Sequence, residues 1–174
     1  LDGSEELVTI TIGGNDVGYI PMLMAASLPR IARAVPRISA LLNRDFREEA
    51  LAQVGDSLRA VGAEARRRAP DARIFFVDYL TMLPPPETAA PPLSPAQAAL
   101  GRHIAVRLEE LTAAAAQTTG CGIVRAGRAS RNHHAWSTQP WTVGARWPLP
   151  WRPAPYHPNA AGMAAVADLV TALI

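Results

Sequence analysis

Two short blocks far apart in the sequence carry the side chains best suited to chemistry. The first is Gly13-Gly14-Asn15-Asp16, at the end of the run Leu7-Val8-Thr9-Ile10-Thr11-Ile12. Val, Ile and Thr in succession fit a pleated, buried strand. Paired glycines directly after it let the backbone turn tightly or come close to a ligand. In open parallel α/β sheets, ligands bind beyond the carboxyl ends of the strands. Asn15 therefore stands where a reacting group would sit, with an amide that donates hydrogen bonds at any ordinary pH. The plainer alternative is that Asn15 only pins the turn through its side chain. The second block is Tyr156-His157-Pro158-Asn159, just ahead of a helical pattern. An unperturbed imidazole titrates near neutrality, which suits proton transfer. The alternative for His157 is a helix-start residue with its ring in solvent.

Together these blocks resemble those of the SGNH, or GDSL-type, hydrolase superfamily. The resemblance implies a three-layer α/β/α fold on a flavodoxin-like parallel sheet, and carboxylic ester hydrolysis by an esterase or lipase. It implies Asn15 as the oxyanion-hole donor, Gly14 as backbone clearance in the same loop, and His157 as the general base. A small ester or lipid is the implied substrate, with no metal or organic cofactor. Such chemistry needs a serine that attacks, a base that takes its proton, and donors that hold the oxyanion. In the family the nucleophile comes first, on a Gly-Asp-Ser-Leu turn after the first strand. Here the Gly-Asn-Asp block comes almost at once. Residues 1–174 are therefore expected to form one SGNH-hydrolase-like domain, incomplete at the N-terminus, with the nucleophile segment missing. The family's first strand lies beside the Leu7–Ile12 strand, so that strand is expected to expose an edge and to invite self-association. A non-catalytic binding or interaction domain on the same fold is the competing expectation. A flavodoxin-like nucleotide binder is weaker, because no Gly-rich phosphate loop follows a first strand.

Gly55-Asp56-Ser57-Leu58 spells the nucleophile signature but sits in the wrong setting. A nucleophilic serine needs a sharp turn at a strand end, so that its hydroxyl stands clear. This tetrapeptide lies within a helical pattern and follows the Gly-Asn-Asp block, the reverse of the family order. Ser57 is read as a chance match; a permuted chain would instead place its hydroxyl against His157. Ser4 has no strand before it. The family usually places Asp three residues before the histidine, where this sequence has Ala154. No acid occurs between Ala113 and His157, so a backbone carbonyl near Ala154 is expected to orient the imidazole.

The elements that must hold these residues read as follows. Tyr19 to Asn43, broken by Pro21, Pro29 and Pro36, predicts short helices over the sheet, either a cap beside the cleft or ordinary core cover. Phe46 to Arg68 predicts a helix with Leu51, Val54, Leu58 and Val61 inward. Arg73 to Tyr79 predicts a buried strand. Ser94 caps the next helix, with Pro95 at its first position and Leu100, Ile104, Leu108 and Leu111 on one face. Gly122 to Arg125 predicts a third strand. Ala126 to Tyr156 is long and irregular and holds all four Trp residues; loops of this length in compact domains are usually functional. Its part from Ser130 to Trp141 resembles a substrate-side loop of actinobacterial-type family members. Trp136, Trp141, Trp147 and Trp151 line an acyl pocket on one reading and build a Trp–Pro mini-core on another. Asn159 caps a last helix with Met163, Val166, Val170 and Leu173 inward. Alternation of strand and helix predicts a parallel sheet.

Composition narrows the function classes. With 49% apolar residues in 174, the chain can bury a core. The net charge of +2 comes from Arg used without Lys. Its one dense basic run, Arg66-Arg67-Arg68, falls where a helix ends and suits the helix dipole. Nucleic-acid binding is not indicated. No apolar stretch is long enough to span a bilayer. Cys121 alone cannot form an internal disulfide, and the adjacent His133 and His134 lack the acidic or Cys company of a metal site. Members of the resembled kind are often exported, so the resemblance leans toward an extracytoplasmic protein.

Overall fold

A computed structural model describes residues 1–146, 151 and 154–174. Three parallel strands form one sheet in the order β1 (Leu7–Ile10), β2 (Arg73–Val77), β3 (Gly122–Val124). Leu7 stands opposite Arg73 and Ile10 opposite Phe76; Phe75 stands opposite Gly122. β1 is shorter than the Leu7–Ile12 run, because Thr11 and Ile12 already lead into the glycine turn. Among the described residues β1 pairs only with β2, so its outer edge is open.

Four helices connect β1 to β2: α1 (Tyr19–Ala26), α2 (Arg30–Arg33), α3 (Pro36–Leu41) and α4 (Arg44–Arg68). α5 (Pro95–Thr118) connects β2 to β3. After β3 come the short α6 (Ala126–Ala129) and α7 (Ala160–Thr171). The alternation along β2 separates the layers, since successive side chains on a strand point to opposite faces. Ile74 and Phe76 join the larger core with α1, α4 and α5, while Val77 and Phe75 meet the smaller cluster with Val166, Leu169 and Val170 of α7. The result is the expected α/β/α arrangement.

Local sequence explains the helix ends. The Asn43 side chain accepts from the Phe46 amide, which starts α4 two residues earlier than the periodicity suggests. Ser94 and Gln97 form a reciprocal capping box, and Pro95 follows at the first helical position. Asn159 accepts from the Gly162 amide at 2.9 Å and so caps α7. Each cap satisfies amides that have no partner inside the helix.

Three expected core positions lie outward. Val61 is 39% exposed; its neighbour Gly62 is the buried residue, where Phe76 crosses α4. Met163 and Leu173 of α7 are 65% and 49% exposed. α7 meets the sheet through the partly buried Val166, Leu169 and Val170, which leaves Met163 and Leu173 off that contact.

Asp78 directly follows β2 and is buried. Its Oδ1 accepts from the Gly127 amide at 2.7 Å at the start of α6, while Oδ2 has no partner among the described residues. Burial pushes its carboxyl up from 3.8 to about 6, with Glu109 adding to the rise and Gly127 and Arg125 opposing it. A folded pKa above the unfolded one means that the fold prefers the neutral acid. That contribution is complete below the unfolded value and is lost as pH rises through about 6. Asp78→Asn should remove this pH dependence. Denaturant unfolding should show wild type losing up to about 3 kcal/mol relative to the variant between pH 3 and pH 8.

Gly162 in the first turn of α7 faces the backbone of Trp141, and a Cβ there would fall well inside van der Waals distance of the Trp141 carbonyl. Backbone cannot yield as a flexible side chain can. Gly162→Ala should therefore cost about 3 kcal/mol of unfolding free energy, measured in urea, by lifting α7 off its seat.

Candidate functional site

Parallel strands deliver the loops that follow them to one rim of the sheet. The Gly13–Asp16 turn follows β1, and Asp78–Leu80 follows β2. α7 runs back beneath the sheet: its far end lies at the opposite rim, where the carbonyl of Ile174 accepts from Arg73 at the start of β2. The start of α7, and His157 ahead of it, therefore stands at the same rim as Asn15.

The turn is held without help from the Asn15 side chain. Backbone bonds run from Val17 to Gly13, from Gly18 to Asn15 and from Tyr19 to Gly14. The Gly14 amide donates to the Tyr79 hydroxyl at 2.9 Å. A Cβ on Gly14 would lie 2.7 Å from the Tyr79 ring, so glycine is required for this approach. Arg47 reaches across from α4 and donates to the Val17 carbonyl at 2.7 Å. Gly18 adopts a left-handed φ of 62°, and a side chain there would collide with the Arg47 guanidinium. Asn15 is exposed and makes no side-chain hydrogen bond among the described residues. Asp16 is exposed too. Tyr79 and the backbone, rather than Asp16, bond the loop amides.

His157 lies in a turn docked against residues 141–143. Val143 donates its amide to the His157 carbonyl at 2.8 Å and accepts from the Tyr156 amide at 2.9 Å. Thr142 and Pro158 form an antiparallel bridge, and the Asn159 amide donates to Trp141 at 2.9 Å. The Asn159 side chain donates to the Pro140 carbonyl at 2.6 Å. The imidazole is exposed, and its Nδ1 lies 2.8 Å from the Pro155 carbonyl. A carbonyl only accepts, so Nδ1 carries the proton of the neutral ring and Nε2 keeps its lone pair. A backbone carbonyl does orient this ring, one residue on from Ala154. The Ala154 carbonyl takes the His157 amide instead, at 3.3 Å.

The serines considered from sequence stand elsewhere. Ser57 is exposed within α4, and its neighbour Asp56 pairs with Arg59 on the same helix. Leu58 is fully buried in the core. Ser4 precedes β1, at the opposite rim, and its hydroxyl bonds Asp2. Neither hydrogen-bonds His157.

An apolar groove of about 680 Å³ lies beside Pro155 and Tyr156, the two residues before His157. Met24, Leu28, Ile38 and Leu41 form one wall; Pro155 and Tyr156 form part of the other. α1 buries Tyr19, Met22 and Leu23 in the core, whereas α2 and α3 bury nothing. The Tyr19–Asn43 segment thus serves both as core cover and as a groove wall. Arg146 is the only charged side chain among the described lining residues.

Trp136, Trp141 and Trp151 are not among the groove's lining residues. Trp136 donates its indole N–H to the Pro91 carbonyl at 3.0 Å and tilts against Tyr156 at 6.4 Å between centroids. Trp141 stacks on His133 at 4.3 Å and packs toward α7. Trp151 is 77% exposed, and Trp147 lies outside the described residues.

Four supporting residues escape a reading of the sequence: Tyr79, Arg47, Tyr156 and Ser27, whose hydroxyl lies 2.7 Å from that of Tyr156. Gly14 signals that something comes close, but nothing in the sequence says that Tyr79 does. Only the adjacency of Tyr156 to His157 offers a hint.

The architecture is shared with solved structures. Phospholipase A1 from Streptomyces albidoflavus superposes with a TM-score of 0.82 at 22% identity, over 99% of this chain and 70% of that one. The extracellular lipase from Streptomyces rimosus gives 0.73 at 23% identity, over 96% and 70%. Identities this low establish the fold. No curated protein matches the sequence. The GDSL-like lipase/acylhydrolase family matches residues 2–165, so the chain belongs to that family.

Proposed function

We propose that this rim hydrolyses carboxylic esters, with His157 as the general base and Asn15 as an oxyanion donor. The observation that carries the reading is the unspent amide of Asn15. The turn around it is fixed by Tyr79, Arg47 and the backbone, so the exposed side chain has no structural task. An amide held ready in a rigid turn can stabilise charge that develops on a bound carbonyl at little reorganisation cost. Gly14 serves by letting Tyr79 approach. His157 contributes Nε2, because Pro155 occupies Nδ1. The same bond stabilises the imidazolium that forms when Nε2 takes a proton.

The acyl chain of the substrate is assigned to the apolar groove. The groove's two hydroxyls, on Ser27 and Tyr156, bond each other at 2.7 Å, and Ser27 also donates to the Leu23 carbonyl. They leave no unmet donor to recognise a polar alcohol or sugar, so the wall suits an alkyl chain. Trp136 backs this wall through Tyr156.

No nucleophile is assigned. A second reading, ligand binding without turnover, draws support from one observation: no serine hydroxyl among the described residues hydrogen-bonds the His157 imidazole.

Hydrolysis of p-nitrophenyl octanoate separates the two readings. Turnover by this chain should be slow and indifferent to a serine-directed alkyl phosphonate. Asn15→Ala should lower whatever turnover remains by roughly a hundredfold or more, and His157→Ala should abolish it. Residual turnover indifferent to both substitutions would leave binding alone. Rapid turnover blocked by the phosphonate would return Ser57 to contention.

A further inference from the structure

Tyr156 is the one residue other than glycine, among the described residues, with a left-handed backbone, at φ 58°. A bulky side chain there costs on the order of 1–3 kcal/mol and persists only where its surroundings over-determine it. Tyr156 is 1% exposed, its ring rests on Trp136, and its amide is bound by Val143. Its hydroxyl lies 2.7 Å from Ser27 Oγ, just past the end of α1. Ser27 spends its single proton on the Leu23 carbonyl at 2.8 Å, so Tyr156 donates and Ser27 accepts.

The left-handed turn has a consequence on each side of Tyr156. It sends the phenol inward and the next side chain, His157, outward. It also folds the Pro155 carbonyl back, so that it meets His157 Nδ1 at 2.8 Å. A bond between residues 155 and 157 spans the backbone torsions of residue 156. Whatever holds Tyr156 in this conformation therefore holds the proton on Nδ1 of the imidazole.

We propose that Ser27 and Tyr156 are positioning residues, whose hydrogen bond latches the left-handed turn that fixes the tautomer of His157. The inference rests on the reading of His157 as base for its functional meaning, but not for its test. It ties the end of α1 to the base, and both partners of the latch line the apolar groove.

The test is the tautomer itself, read from long-range proton–nitrogen NMR spectra of the whole chain with ¹⁵N-labelled histidine, at a pH above imidazole titration. In wild type His157 should be mainly the Nδ1–H form, against the ordinary preference of an unconstrained side chain for Nε2–H. Tyr156→Phe and Ser27→Ala should each shift the ratio toward Nε2–H by about threefold or more, the reach of one net hydrogen bond. The double variant should shift it no further than either single change, because both remove the same bond. Ser27→Thr, which keeps a hydroxyl, should retain the wild-type ratio, and His103, on α5, should not respond in any variant. Ser27→Ala breaks the bond from the α1 side without touching the buried ring, so a poorly folded Tyr156→Phe leaves the test intact. A wild-type ring mainly in the Nε2–H form, or an unchanged ratio in a folded Ser27→Ala variant, would overturn the latch. A latch that passes while ester turnover ignores His157 would show the histidine positioned but not acting as base.

Discussion

Parallel pairing of β1 with β2, in the register that sets Ile10 against Phe76, is the constraint on which the rim depends. Strands that run the same way end at the same edge, so the loops that leave them must meet. Gly14 leaves β1 and Tyr79 leaves β2, and register brings the Gly14 amide to the Tyr79 hydroxyl. A slip of one residue would reverse every side chain of β1 and remove that contact. The core reinforces the register from below: a Cβ on Gly13 would meet Val54 of α4 at 3.2 Å, with Leu58 and Leu108 at 3.6 Å. The helix face that covers the sheet thus also supports the turn that presents Asn15.

The two proposed reacting groups are held by different means. Asn15 rides on a turn closed mainly by local backbone bonds and braced from outside by one phenol and one guanidinium. His157 has no strand of its own. Its position comes from a short ladder against residues 141–143, from the cap that starts α7 and from the left-handed residue before it. The described residues between β3 and α7 therefore serve as scaffolding for His157. Their aromatic content fits this role: Trp141 stacked on His133 stiffens one side of the cradle and Trp136 backs Tyr156 on the other.

What the sequence made legible divides along a physical line. Properties set within one turn of chain could be read: Ser94 as the cap of α5, Asn159 at the start of α7, and the run that became β1. The helical setting of Ser57 was legible for the same reason, since periodicity around Leu51, Val54 and Leu58 is local. Properties set by a partner far along the chain could not be read. Gly14 announced a close approach without naming Tyr79, and the carbonyl that orients His157 proved to be that of Pro155. Burial on α7 was over-read at Met163 and Leu173, because helical periodicity gives the apolar stripe but not the width of the surface it must cover. The tryptophans posed the same problem. A large aromatic residue signals burial or contact, yet whether it meets a ligand or other protein depends on where the chain folds back.

The groove shows how polarity can be hidden where a sequence appears to supply it. Ser27 and Tyr156 are both polar, and both line a surface otherwise built, Arg146 apart, from apolar residues. Left unpaired, each hydroxyl would penalise an alkyl chain by the cost of desolvation. Paired with each other, and with the Leu23 carbonyl closing the chain of donors, they present an effectively apolar wall. The same pairing spans from the helix end that carries Ser27 to the residue before the imidazole. One hydrogen bond thus serves both parts of the rim: it removes the polar penalty from the wall and fixes the torsions that aim His157. Separate devices would have required further buried polar groups, each with its own partner to find. This economy explains why a tyrosine, rather than the glycine that a left-handed turn would ordinarily favour, occupies position 156.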